Sequence, residues 1–155
     1  MKIIREYTKS AYRDINRNLR NGIVTEQAAE LVEAVSKLPQ TPAITYRAFW
    51  MDDIGGYVQW LRSNKVITFD AFTSTSRDRR VANDIRGNVM MTITGKTGRD
   101  IVAYSKYRHE QEVLYLPGLR CRITKLNTVK VAGKLWSVTL ELKEVEDGAG
   151  ADSPV

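Results

Sequence analysis

The stretch Lys65–Ser76, "KVITFDAFTSTS", is where the chain changes texture, and its reading decides the fold class. Val66 to Phe69 are three β-branched residues followed by an aromatic, the content of a strand. The four consecutive hydroxyl residues Thr73 to Ser76 would, taken alone, read as a capping or turn segment. Upstream of this point the pattern is helical. Ala11, Ile15 and Leu19, with Tyr12 beside them, fall at helical spacing over Thr8–Leu19, and Asn21-Gly22 supplies a stop. Thr25 is placed to cap a second helix through Ala28, Leu31, Val32, Val35 and Leu38, ending before Pro39. "ITYRAF", Ile44–Phe49, reads as a strand, and "DDIGGYVQWLRSN", Asp52–Asn64, as a helix interrupted by Gly55-Gly56.

Downstream the runs are short and β-like: "VMMTIT", "DIVAYS", "EVLYL", "CRITKL" and "WSVTLEL", with a short helix over "DRRVANDI", Asp78–Ile85. Ala132-Gly133 marks a hairpin that makes the last two strands neighbours. Helices first and strands after predict an α+β domain. Its expected extent is residues 1–145, with the small, polar tail 146–155 disordered.

A chain of 155 residues is long enough to bury a core without metals or disulfides, and lone Cys121 with one His excludes an internal disulfide and a structural zinc site. No apolar run approaches the ~20 residues of a membrane span, so no membrane role is expected. Met1-Lys2 leads into a charged segment, with no apolar leader run of about 7–15 residues. The net charge of +6 favours anionic partners, but the basic residues are scattered apart from "RDRR", Arg77–Arg80, which is more typical of a solvated surface than of a nucleic-acid track.

The residue types with chemical potential lie in three segments. Glu110 and Glu112, in "YRHEQEVLYLPG", are expected on one face of a strand end at ~6–7 Å spacing, either as a solvated edge or as a working pair of carboxylates. His109 then falls on the opposite face and is given no role. Arg47 lies within an apolar strand and needs an anion, which a glutamate ion pair or a ligand could supply. "FTSTS" is the third segment.

Taken in order, "YR", "STS" and "EQE" resemble the arginine, Ser-Thr-Ser and Glu-x-Glu signature of the arginine-specific mono-ADP-ribosyltransferases. "YTKSAYRDINRNLR", Tyr7–Arg20, is similar to the opening helical motif of many bacterial toxins of that family, and "EQEVLYLPG" to the strand after the acids. The resemblance implies the ADP-ribosyltransferase fold, a split β-sheet core with N-terminal helices, and NAD as substrate with no metal. It implies that Arg47 holds the NAD phosphates and adjoining ribose, with Ala48 beside it where many members have Gly. Ser74 would order the cleft against the catalytic glutamate and the nicotinamide, while Thr75 and Ser76 brace the strand and the loop after it. Glu112 would bind the nicotinamide ribose and stabilise charge as the glycosidic bond breaks. Glu110 would orient and deprotonate the acceptor arginine, and Tyr107 would face the protein target.

The segment Arg77–Gly87 has no aromatic to stack on nicotinamide but offers Arg77, Arg79, Arg80 and Arg86, one of which is expected to contact the phosphates. The resemblance further implies a toxin domain that a specialised secretion system delivers, without a signal peptide, into a target cell's cytoplasm in interbacterial competition, with a cognate immunity protein as partner. Three other readings stay open: an NAD glycohydrolase, a basic nucleic-acid-binding module, and an inactive family member used for interaction.

Overall fold

The computed structural model describes residues 1–145; the expected disordered tail, 146–155, lies outside the described residues. The chain opens with α1 (Lys2–Glu6), a π-helical turn over Tyr7–Ala11, α2 (Tyr12–Arg20) and α3 (Glu26–Ser36). The helical segment therefore starts six residues before the predicted Thr8, because Ile3 and Ile4 are buried and extend the apolar face toward the terminus. Gly22, at φ 77, ends α2 with its N–H on Leu19 O at 3.0 Å, while Ile23 N–H reaches Asn18 O at 2.8 Å. Left-handed backbone of this kind suits glycine. Thr25 Oγ1 caps α3 by accepting from Ala28 N at 3.1 Å.

Eight strands follow in one sheet: β1 (Ala43–Phe49), β2 (Val66–Phe69), β3 (Thr73–Ser76), β4 (Val89–Gly95), β5 (Arg99–Asp100), β6 (Glu112–Tyr115), β7 (Leu119–Val131) and β8 (Lys134–Glu144). Their order is β2-β7-β8-β4-β1-β3-β6-β5, antiparallel except for the β4–β8 pair. The sheet is split: β1 and β3 share the single pair Tyr46↔Ser76, whereas β1 pairs with β4 along its whole length. Two further helices, α4 (Ile54–Ser63) and α5 (Arg79–Asp84), connect the strands. The Gly55-Gly56 pair does not interrupt α4. Asp53 Oδ1 accepts from Gly56 N at 2.9 Å, and a Cβ on Gly56 would collide with that carboxylate.

Two cores flank the sheet. On one side, α4 supplies Val58 and Leu61 against Met91, Val113, Tyr115 and Leu140. On the other, Ile4, Ile15, Leu31 and Val35 pack with Phe72, Ile101 and Leu114. The apolar run of "EVLYL" follows from this. Val113 and Tyr115 enter the first core while Leu114 enters the second, so both faces of β6 are buried.

Three segments depart from the sequence reading. "FTSTS" is not a turn: Thr73–Ser76 is β3 itself, in register with β6 from Thr73↔Tyr115 to Ser76↔Glu112. "DIVAYS" is not a strand beyond Asp100, because the Asp100 carboxylate accepts from Val102 N at 2.9 Å and starts a 3-10 turn over Val102–Tyr104. Arg108–Glu110 is also a 3-10 turn, which removes Glu110 and His109 from the strand. The hairpin holds: Ala132 (φ 51) and Gly133 (φ 77) join β7 to β8.

Candidate active site

The cleft opens where β1 and β3 part. Beyond Tyr46↔Ser76 the two strands no longer pair, and the Arg47 guanidinium crosses the gap, its Nη1 donating to Ser74 O at 3.1 Å. Arg47 Nε is buried without a hydrogen-bond partner among the described residues. Burial lowers the pKa of this guanidinium. A buried donor left unmet in the protein is suited to an anion entering from the cleft.

Ser74, Ser76 and Glu112 share one face of the β3–β6 ladder, since Ser76 stands opposite Glu112 and Ser74 lies two residues away along the strand. Glu112 is 8% exposed, and burial pushes its carboxyl up to about 7, with the Glu110 charge adding to the rise; the Ser74 hydroxyl and Arg47 oppose it. Thr75 turns its hydroxyl away, donating to Val113 O at 2.7 Å, and so ties the two strands. Ser76 Oγ donates to Glu110 O at 2.5 Å and accepts from Asp78 N at 2.9 Å, which fixes the chain on both sides of the site.

The sequence reading brought Glu110 and Glu112 together through the pleat of one strand, and the structure corrects this. Glu110 ends the 3-10 turn, Gln111 takes the left-handed conformation (φ 47, ψ 50), and only Glu112 begins β6. The left-handed residue swings the turn back so that both acids line the same cavity. His109 is exposed on that turn, its ring 6.3 Å from Tyr107. Tyr107 also lines the cavity.

That cavity, of about 740 Å³, is lined by Arg47, Ala48, Ser74, Thr75, Ser76, Tyr107, Glu110 and Glu112, which covers the residues of the three motif segments proposed from sequence. The four loop arginines are absent from its lining. Arg77 pairs with Asp100 at 3.0 Å, Arg80 with Asp78 at 3.0 Å, and Arg79 lies 5.9 Å from the Tyr46 ring centre. α5 instead presents Val81 and Ala82 to the cleft. The cationic wall comes from the N-terminal helices, through Arg13 and Arg20 of α2 and Lys9 of the π-helical turn before it.

Sequence reasoning missed Tyr7 and Asn16. Tyr7, 1% exposed, has its hydroxyl 3.2 Å from Ser74 Oγ and accepts from Asn16 Nδ2 at 3.0 Å. Asn16 Oδ1 in turn accepts from Phe72 N at 3.1 Å. The helices are thus hydrogen-bonded to the strand that carries Ser74. The available signal was Asn16 itself, a polar residue beside Ile15 on the buried helix face, which requires a partner there.

A cleft at the split of a two-core sheet, walled by leading helices, is the architecture of the ADP-ribosyltransferases. The Vis toxin of Vibrio splendidus superposes with a TM-score of 0.79 at 22% identity, over 97% of this chain and 73% of that one. Residues 1–143 match the family described as ADP-ribosyltransferase exoenzyme, and the chain belongs to it. Mav of Mycobacterium avium (strain 104), provisionally named an NAD(+)–arginine ADP-ribosyltransferase, is 36% identical over 118 residues, covering 72% of this chain and 14% of its own length. Tre1 of Pseudomonas putida (strain GB-1), an NAD(+)–protein-arginine ADP-ribosyltransferase, is 51% identical over 53 residues, 34% of this chain and 10% of Tre1. The chain thus spans only a small part of these curated relatives.

Proposed function

We propose that the domain transfers ADP-ribose from NAD to an arginine side chain of a protein target and releases nicotinamide. The observation that carries this reading is the meeting of a buried guanidinium with an unmet donor, Arg47, and a buried carboxyl, Glu112, across Ser74 in one cleft. Arg47, with Arg20, suits the pyrophosphate of NAD, because a guanidinium is always charged and binds phosphate oxygens through paired N–H groups. Glu112, ionised, stabilises the positive charge that develops at the ribose C1′ as its bond to nicotinamide breaks. The bonding electrons neutralise the pyridinium, so the leaving group needs no proton. A guanidine nitrogen of the acceptor then bonds to C1′, and Glu110 takes its proton. The names of Mav and Tre1 point to the same acceptor.

Delivery into a target cell by a secretion system, with an immunity protein covering the cleft, is part of this proposal and draws on the family resemblance. The test is transfer from labelled NAD into lysate protein and polyarginine. Label lost with Glu112→Gln, together with hydrolysis kept but transfer lost with Glu110→Gln, supports the reading. Nicotinamide release without label in protein replaces it by NAD glycohydrolysis. Absence of both overturns it.

A further inference from the structure

The turn that brings Tyr107 and Glu110 to the cleft is bordered by cations that bond cleavage does not use. Glu110 is half-buried at the end of a turn whose Lys106, Tyr107, Arg108 and His109 are all exposed. Lys106 N–H donates to Thr8 Oγ1 at 3.0 Å, which draws the turn against the N-terminal helical segment and sets Lys9, exposed and lining the cleft, beside it. Some surface cations of the chain are held by acids, as in Arg77–Asp100, Arg80–Asp78 and Lys37–Glu33. Among the described residues, Lys9, Lys106 and Arg108 are in no such ion pair, and what sets them apart is their place beside the turn that carries Glu110. Arg108 reaches only Ala103 O, at 3.4 Å, and Lys106 Nζ lies 5.8 Å from the Tyr107 ring centre.

An arginine approaching Glu110 is itself a cation and meets this collar as a like charge, unless the surface that carries it brings acids of its own. Exposed, unpaired charges of one sign around an entrance steer partners of the opposite sign. We infer that Lys9, Lys106 and Arg108 form a docking collar for an acidic protein surface, so that the acceptor arginine is one flanked by Asp or Glu. This rests on the arginine-transfer reading above.

The test compares kcat/KM for labelled-NAD transfer to peptides with a single Arg flanked by Asp and Glu, by Asn and Gln, or by Lys. The acidic peptide is expected to exceed its amide counterpart about tenfold at low salt, with the ratio falling toward one near about 0.5 M NaCl as screening sets in. Combined Lys106→Glu and Arg108→Glu should invert the order of the peptides. Lys9→Glu, on another element, provides a second probe that should reduce the ratio if the turn variant does not fold. Equal rates for acidic and amide peptides, or a preference that survives charge reversal, overturn the collar and leave arginine transfer standing. No transfer to any peptide, agmatine or polyarginine overturns both.

Discussion

Replacing Glu112 by Gln is expected to inactivate the domain and, at alkaline pH, to stabilise it. The Glu112 carboxyl rises from an ordinary 4.5 to about 7 because burial disfavours its charge. Between these two values the folded chain holds a proton that the unfolded chain has released, so stability falls as pH rises through this window. The penalty is absent below about pH 4.5 and complete above about pH 7. At ~1.36 kcal/mol per pH unit it reaches about 3 kcal/mol, of which roughly 2–3 kcal/mol develops between pH 5 and 8.5. Glutamine fills nearly the same volume and can still accept from Ser74, but it does not ionise. The melting temperature of Glu112→Gln relative to wild type should therefore climb by roughly 5–10 °C from pH 5 to 8.5, at ~2–4 °C per kcal/mol for a chain of this size. Paired thermal melts across that range, followed by circular dichroism, measure it. The activity of the wild type should show an ascending limb at or below about pH 7, since the ionised form is the working one. Melting curves that run parallel across pH, or a variant that loses ground at alkaline pH, would refute the claim that Glu112 is a buried carboxylate held ready at a cost in stability.

Two further outcomes follow from individual hydrogen bonds. Tyr7→Phe strands Asn16 Nδ2 and removes the oxygen beside Ser74, so it should lower stability by about 1–3 kcal/mol, read from urea midpoints, and transfer activity by about tenfold. Arg99→Ala should cost about 2–4 kcal/mol in the same urea titration, because Arg99 Nη1 donates to Val35, Ser36 and Leu38 carbonyls at 2.9–3.0 Å and closes the C-terminal end of α3. Arg99→Lys, lacking the planar fork, should recover only part of that loss.

The features legible in the sequence were those governed by near neighbours. Thr25 capping, the stop at Asn21-Gly22, the Ala132-Gly133 hairpin and the periodicity of α3 each depend on a few adjacent residues. The convergence of Arg47, Ser74 and Glu112 depends instead on β1 parting from β3 after one pair and on β3 joining β6, which no local pattern encodes; it became visible only through the ordered motifs. Gln111 gave no warning of its left-handed backbone, since glutamine is not a turn-forming type, and the acids converge for a different reason than strand pleating. Tyr7 was hidden by the π-helical turn, which shifts the phase of a helical repeat just where this cleft tyrosine sits.

The corrected placement of the two glutamates separates their mechanics. Glu112 begins the wholly buried strand β6, its backbone in register with Ser76 of β3, so its carboxyl position is set by the sheet. Glu110 sits on a short turn that Ser76 grips by the backbone carbonyl, leaving its side chain partly exposed. Under the proposed reaction, bond cleavage needs a carboxylate fixed against one substrate, whereas acceptor capture needs one that can adjust to an arginine carried on a protein surface. A strand and an adjacent turn would supply these two requirements within three residues, and the left-handed Gln111 is the point at which one gives way to the other.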